Sequence, residues 1–183
     1  MKELSLNVLD ISQNSVKAGA TLIQICLRET DDWLTMTVTD NGCGMTAETL
    51  RGVIDPFYTT RTTRKVGLGI PLLKLAAEQT GGSVTISSRH ESEYPDSHGT
   101  EVVATFYKKH IDFTPMGDIV STVTTMIQGS PDIDFEFRHE SQEFQVLLDT
   151  RQMREILGAE VPLSDPEIIR WIAQYLQEQY KNN

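Results

Sequence analysis

A chain of 183 residues with 39% hydrophobic and 7% aromatic residues can form one globular domain, or one domain with a small addition. No apolar run nears the roughly 18 residues of a membrane span. The start, Met1-Lys-Glu-Leu-Ser-Leu, has no cationic segment followed by an apolar one, so the chain is expected to be cytoplasmic and off the membrane. A formal net charge of −10 argues against binding a phosphate backbone, and no nucleic-acid partner is expected.

Leu4, Val8, Ile11 and Ser15 fall on one stripe and predict a helix over 2–18, ended by Gly19. Two β-rich segments, 21–28 and 33–39, are joined by a hairpin-length connection. A short helix over 46–52 follows, capped by Thr46, and a longer one over 68–80 is closed by Gly81-Gly82. Strands are predicted at 83–88 and 100–107. Asp112 to Gly117 reads as a linker. Beyond it come a helix (118–128), two strands (133–138 and 143–149) and helices over 150–157 and 165–180, the last opening on the capping-box spacing Ser164-Asp-Pro-Glu167. Residues 109–183 hold thirteen acids against six bases, so most of the negative charge lies in this last part. The two cysteines, Cys26 and Cys43, show neither zinc-ligand spacing nor a disulfide pattern.

Three short segments carry chemistry. Asp10 and Asn14, four apart on the first helix, project from one face. Alone, the pair also reads as a solvated stripe. Its functional reading is an amide oxygen from Asn14 for Mg²⁺, with Asp10 holding a water or a hydroxyl as general base. Asp40-Asn-Gly-Cys-Gly-Met45 joins a strand to a short helix. Gly42 to Ala47 fits a dinucleotide fingerprint, but the acid-ended strand required about 20 residues on is missing. The remaining choices are a plain turn, or a carboxylate on Asp40 that accepts from an exocyclic amine such as adenine N6, with Gly42 and Gly44 letting the backbone approach the ring. Finally, Val66-Gly67-Leu68-Gly69 opens the second long helix, downstream of Arg61, Arg64 and Lys65. Free N–H groups and a positive dipole end there suit phosphate. A glycine-assisted loop with solvated basic residues is the alternative. As an ordered set, the three segments describe a pocket for a magnesium–nucleotide complex.

These residues resemble the motifs of the GHKL ATPases, which include sensor histidine kinases, gyrase-type topoisomerases, heat-shock chaperone ATPases and mismatch-repair ATPases. Asp10 to Asn14 matches the N box, and Asn14-Ser-Val-Lys-Ala-Gly-Ala-Thr21 is most similar to the mismatch-repair branch. Asp40 to Met45 matches the first glycine box. Pro56-Phe57-Tyr58-Thr-Thr with Gly67-Leu-Gly69 is similar to the F box and second glycine box of histidine kinases, and Gly99-Thr100 to the last contact box. The resemblance covers about residues 4–107. It implies a Bergerat fold: an α/β two-layer sandwich, a mixed sheet with helices on one face. It also implies ATP and Mg²⁺ as cofactors, with Asn14, Asp40, Gly42, Gly44, Met45, Phe57, Arg61, Arg64, Lys65, Gly67, Leu68, Gly69 and Thr100 at the nucleotide. Asn14 would be the metal ligand and Asp10 the catalytic base.

The chain departs from the family at three points. Asp10 stands where hydrolysing members carry Glu. Lys65 replaces the first glycine of the histidine-kinase run, and the lid expected over about residues 58–66 is short. The chain is expected to lack a phosphoacceptor helix, with His90, His98, His110 and His139 on the surface or in loops. The expected organisation is an ATP-binding domain over 1–111 and a small acidic α+β appendage over 112–183 that docks a partner or the lid; an extra layer of the same fold is the alternative. The expected function is a slow ATPase or protein phosphotransferase with a protein partner of unknown identity. The alternative is a non-catalytic ATP-binding switch.

Overall fold

The computed structural model describes residues 3–55 and 68–182. The elements in chain order are α1 (Leu4–Lys17), β1 (Leu22–Glu29), β2 (Trp33–Asp40), α2 (Ala47–Ile54), α3 (Gly69–Gln79), β3 (Ser83–Arg89), β4 (Gly99–Tyr107), α4 (Ile119–Gly129), β5 (Asp134–Glu140), β6 (Gln145–Asp149), α5 (Thr150–Leu157) and α6 (Pro166–Lys181). Each predicted element is present, with no end displaced by more than two residues. Thr46 caps α2 by accepting from the Thr49 N–H, as its sequence position implies. The N-cap of α6 is Asp165, one residue beyond the predicted Ser164, because its carboxylate reaches the Glu167 N–H ahead of Pro166.

The strands form one mixed six-stranded sheet in the order β3-β4-β2-β1-β5-β6. All pairs are antiparallel except β1 with β5. Strand side chains alternate between faces, and one face carries the apolar rows: Ile23, Ile25 and Leu27 on β1, Leu34, Met36 and Val38 on β2, Val102, Ala104 and Phe106 on β4. The helices cover this face. The opposite face carries residues such as Gln24, Arg28, Thr37 and Glu101, which suit water, and the result is the two-layer sandwich expected.

The segment read as a linker is part of the packing. α1 has no side-chain cap, and its first free N–H groups, on Leu4 and Ser5, donate to the carbonyls of Pro115 (2.9 Å) and Met116 (2.8 Å). Beyond it, β5 pairs with β1 in register from Leu22–Asp134 to Arg28–Glu140. Phe135 and Phe137 continue the buried rows. Residues after 112 therefore extend the same sheet.

His139 corrects the expectation of surface or loop histidines. It occupies an inward position of β5 and is 4% exposed. Its Nε2 lies 2.9 Å from Glu29 Oε1 and its Nδ1 2.7 Å from the Tyr180 hydroxyl. Lys108 Nζ lies 2.7 Å from the other Glu29 oxygen. The hydrogen bond from His139, reinforced by Lys108 and opposed by partial burial, holds the Glu29 carboxyl at about 2. Burial raises the Tyr180 phenol.

Candidate nucleotide site

The site lies where the C-terminal half of α1, the end of β2 and the start of β4 meet. Among the described residues a cavity of about 210 Å³ opens there. Ile11, Val38, Val53, Ile70 and Val102 make its apolar walls, and Asn14, Ser15, Asp40, Thr49 and Thr100 supply the polar groups. Apolar walls with a few placed polar atoms suit a flat heterocycle better than a charged head group.

Asp40 is the last residue of β2 and pairs with Ile23 and Thr100 across the sheet. Its side chain thus shares the helix-covered face with Val38 and Met36. Ser15 Oγ donates to its Oδ2 at 2.5 Å, and the Gly42 N–H donates to its Oδ1 at 2.9 Å. Two fixed donors orient the carboxylate and leave each oxygen with further acceptor capacity for an amine. The turn after Asp40 is held just as firmly. Asn41 accepts through its side-chain oxygen from the N–H groups of Thr21 and Leu22, and the Cys43 N–H donates to the Ala18 carbonyl at the end of α1.

Glycine is required at two places, one in this turn and one at the start of β4. Gly44 has φ +70°, and a Cβ there would run into the Arg89 carbonyl; at Gly99, with φ +141°, a Cβ would run into the Asp40 carbonyl. The two loops interlock at van der Waals distance. Ser88 ties them further: its hydroxyl accepts from the Met45 N–H (2.8 Å) and lies 2.8 Å from the Thr100 hydroxyl.

At the other end of the cavity, α3 begins against α1. A Cβ built on Gly69 would lie 3.2 Å from the Asp10 Cβ, 3.9 Å from its Oδ2 and 4.0 Å from Asn14 Nδ2. The N-terminus of α3, whose first N–H groups have no partner within the helix, therefore abuts the two polar residues of the N box.

Of the candidate residues, Asn14, Asp40, Gly44, Met45 and Thr100 line the cavity; Gly42 backs Asp40, and Asp10 stands beside Gly69 outside the lining. Leu68, ahead of Gly69, is 73% exposed. Phe57, Arg61, Arg64, Lys65 and Gly67 lie outside the described residues. The sequence reading missed Ser15, Ser88 and His98. Ser15 directly follows Asn14 and is buried on α1, a signal that could have found it. The other two reveal themselves only through pairing and loop contacts.

A helix-backed mixed sheet whose polar pocket lies between a strand-end carboxylate and a helix N-terminus defines the class: an α/β nucleotide-binding domain. A family model described as histidine kinase-, DNA gyrase B- and HSP90-like ATPase matches residues 2–110. The chain belongs to this ATPase family. Among its relatives, the heme sensor protein HssS of Staphylococcus saprophyticus is 30% identical over 98 residues, covering 52% of this chain and 20% of that protein. The sensor histidine kinase ZraS of Klebsiella oxytoca is 34% identical over 84 residues, covering 44% of this chain and 18% of that protein. The chain thus spans about a fifth of the length of these relatives. In structure it is similar to the Aquifex aeolicus MutL ATPase domain complexed with ADP, with a TM-score of 0.55, 13% identity and coverage of 86% of this chain and 69% of that one. A crystal structure of the N-terminal domain of a DNA repair protein gives a TM-score of 0.55 at 16% identity, covering 87% and 58%. These last two likenesses show the fold.

Proposed function

We propose that the chain binds ATP with Mg²⁺ in this cavity and turns it over slowly. One observation carries the reading: Asp40, doubly anchored, sits in the cavity that α1 carries on to Asn14, and the N-terminus of α3 abuts Asp10 and Asn14. Adenine fits the apolar end, its exocyclic amine donating to Asp40. The phosphates then reach the start of α3, where free N–H groups and the helix dipole favour negative charge. Arg61, Arg64 and Lys65 are proposed to add cations there.

The donor set suits Mg²⁺. Asn14, which lines the cavity, carries one amide oxygen that can serve as a ligand. A hard ion that keeps waters and takes phosphate oxygens needs few protein ligands. When bound, it would neutralise charge on the phosphates. Asp10 is proposed to take the proton from water as the water oxygen attacks the γ-phosphorus in line; the bond to the β,γ-bridging oxygen breaks and ADP leaves. A hydroxyl on a partner protein in place of water makes the same step a phosphotransfer. Asp is one methylene shorter than Glu, so slow turnover is expected. The short reach also supports the second reading, a switch that binds ATP and alters a partner without hydrolysis.

A single-turnover assay with labelled Mg·ATP tests this. Asp10→Asn should bind ATP and release no ADP, whereas Asp10→Glu should keep or raise turnover. Equal ADP release from both variants and the parent would remove the base and favour the switch.

A further inference from the structure

His98 lies outside every motif of the site, in the β3–β4 connection just before Gly99. Its Nδ1 is 2.6 Å from the Gly42 carbonyl oxygen. A carbonyl can only accept, so Nδ1 carries the proton and donates. Gly42 is the residue whose own N–H donates to Asp40 Oδ1. The glycine turn is gripped at two more points from the same side: the Glu91 N–H of this connection donates to the Cys43 carbonyl at 2.9 Å, and Ser88 Oγ, near the end of β3, accepts from the Met45 N–H. Gly44 and Gly99 are crowded against the backbone of Arg89 and Asp40 respectively. The exposed segment 91–97 thus hangs from two ends that both hold the Asp40 turn.

We propose that His98 is a positioning residue for nucleotide selection: by donating to the Gly42 carbonyl it fixes the turn that aims Asp40 at the base. The inference rests on the ATP reading of the cavity. Ser88 and Glu91 hold the far side of the turn, at Met45 and Cys43, and His98 holds the near side, next to the carboxylate. Without it, Ser15 still holds one Asp40 oxygen, but the Gly42 peptide, whose N–H sets the other oxygen, loses the tie on its carbonyl and can tilt. The cost then falls on binding a ligand that needs Asp40 in one place, and on distinguishing an amine from a carbonyl at that place.

The test exploits geometry. In His98→Asn the amide nitrogen occupies the bonding position of Nδ1, while His98→Gln carries its N–H one carbon farther out, and His98→Ala removes it. Affinities for Mg·ATP and Mg·GTP are measured by titration calorimetry, alongside thermal melting. The expected result is an ATP affinity about tenfold lower for Ala and Gln, in line with one lost hydrogen bond, a narrower preference for ATP over GTP, and recovery to within about threefold in Asn. Unchanged ATP affinity and selectivity in His98→Ala would overturn the proposal. So would Gln matching Asn, and that comparison decides if the Ala variant does not fold. A parent protein that binds no ATP would instead overturn the nucleotide reading itself, and this inference with it.

Discussion

The nucleotide pocket and the C-terminal extension sit in the same sheet but are held by different means. Around Asp40 the structure relies on short polar ties between neighbouring elements and loops: Ser15 to Asp40, His98 to Gly42, Ser88 to Met45. Around β5, buried aromatic side chains and one charged network do the holding. Phe135 and Phe137 are each 1% exposed, and Glu29, Lys108, His139 and Tyr180 link β1 and the turn after β4 to β5 and α6. Apolar burial is indifferent to orientation, so it supplies stability; hydrogen bonds are directional and supply position. A site that must recognise one ligand is built from the second kind, beside a region built from the first.

This contrast breaks most sharply at Phe137. Truncation to Ala should cost about 3–5 kcal/mol, much of a typical domain's stability. Because β5 pairs with β1, the loss should appear as one cooperative unfolding transition in urea. Two separate transitions would mean that the extension folds on its own. At the pocket, Gly44→Ala forces a Cβ into the Arg89 carbonyl at a positive φ. It should cost about 1–3 kcal/mol by melting and abolish ATP binding, an effect on function larger than the effect on stability.

Acid should find the extension first. The Glu29 carboxyl titrates at about 2 in the folded chain against 4.5 when unperturbed. Its contribution is therefore complete above about pH 4.5 and lost as the pH falls from there toward 2. His139→Leu should remove most of that dependence, flattening the stability profile between pH 5 and 3; an unchanged profile would show that the network adds nothing. Raised by burial, the Tyr180 phenol works in the opposite sense, its contribution present below the phenol's ordinary range and lost as strong base ionises it. The smallest effect belongs to the exposed Lys74–Glu78 pair on α3. Lys74→Ala should change stability by about 0.5 kcal/mol or less in a denaturant titration.

Local pattern made the elements legible. The 3.6-residue stripe from Leu4 to Ser15 and the turn glycines near positions 19 and 81 mark boundaries that the backbone respects. That Asp40, Asn14 and the start of α3 come near one another in the candidate site was legible for the same reason, since each motif depends on short spacing. What was not legible is long-range. Nothing near residue 134 announces that β5 lies beside β1 and not on a separate body, because parallel pairing across more than a hundred residues leaves no local trace. His139 looked like a loop histidine because its partners, Glu29 and Tyr180, come from β1 and α6. His98 escaped notice for a related reason: its partner is a backbone carbonyl 56 residues away.

The central claim is that Asp40 reads the base. Titration calorimetry of the parent chain and Asp40→Asn with Mg·ATP and Mg·GTP tests it directly, with melting curves to establish that the variant is folded. The amide puts a donor where the adenine amine also donates, leaving a polar group unpaired. The parent should bind ATP at least about tenfold more tightly than GTP, and the variant should lose ATP binding while staying folded. Equal affinity of the parent for the two nucleotides, or ATP binding by Asp40→Asn at the parent's affinity, would contradict it.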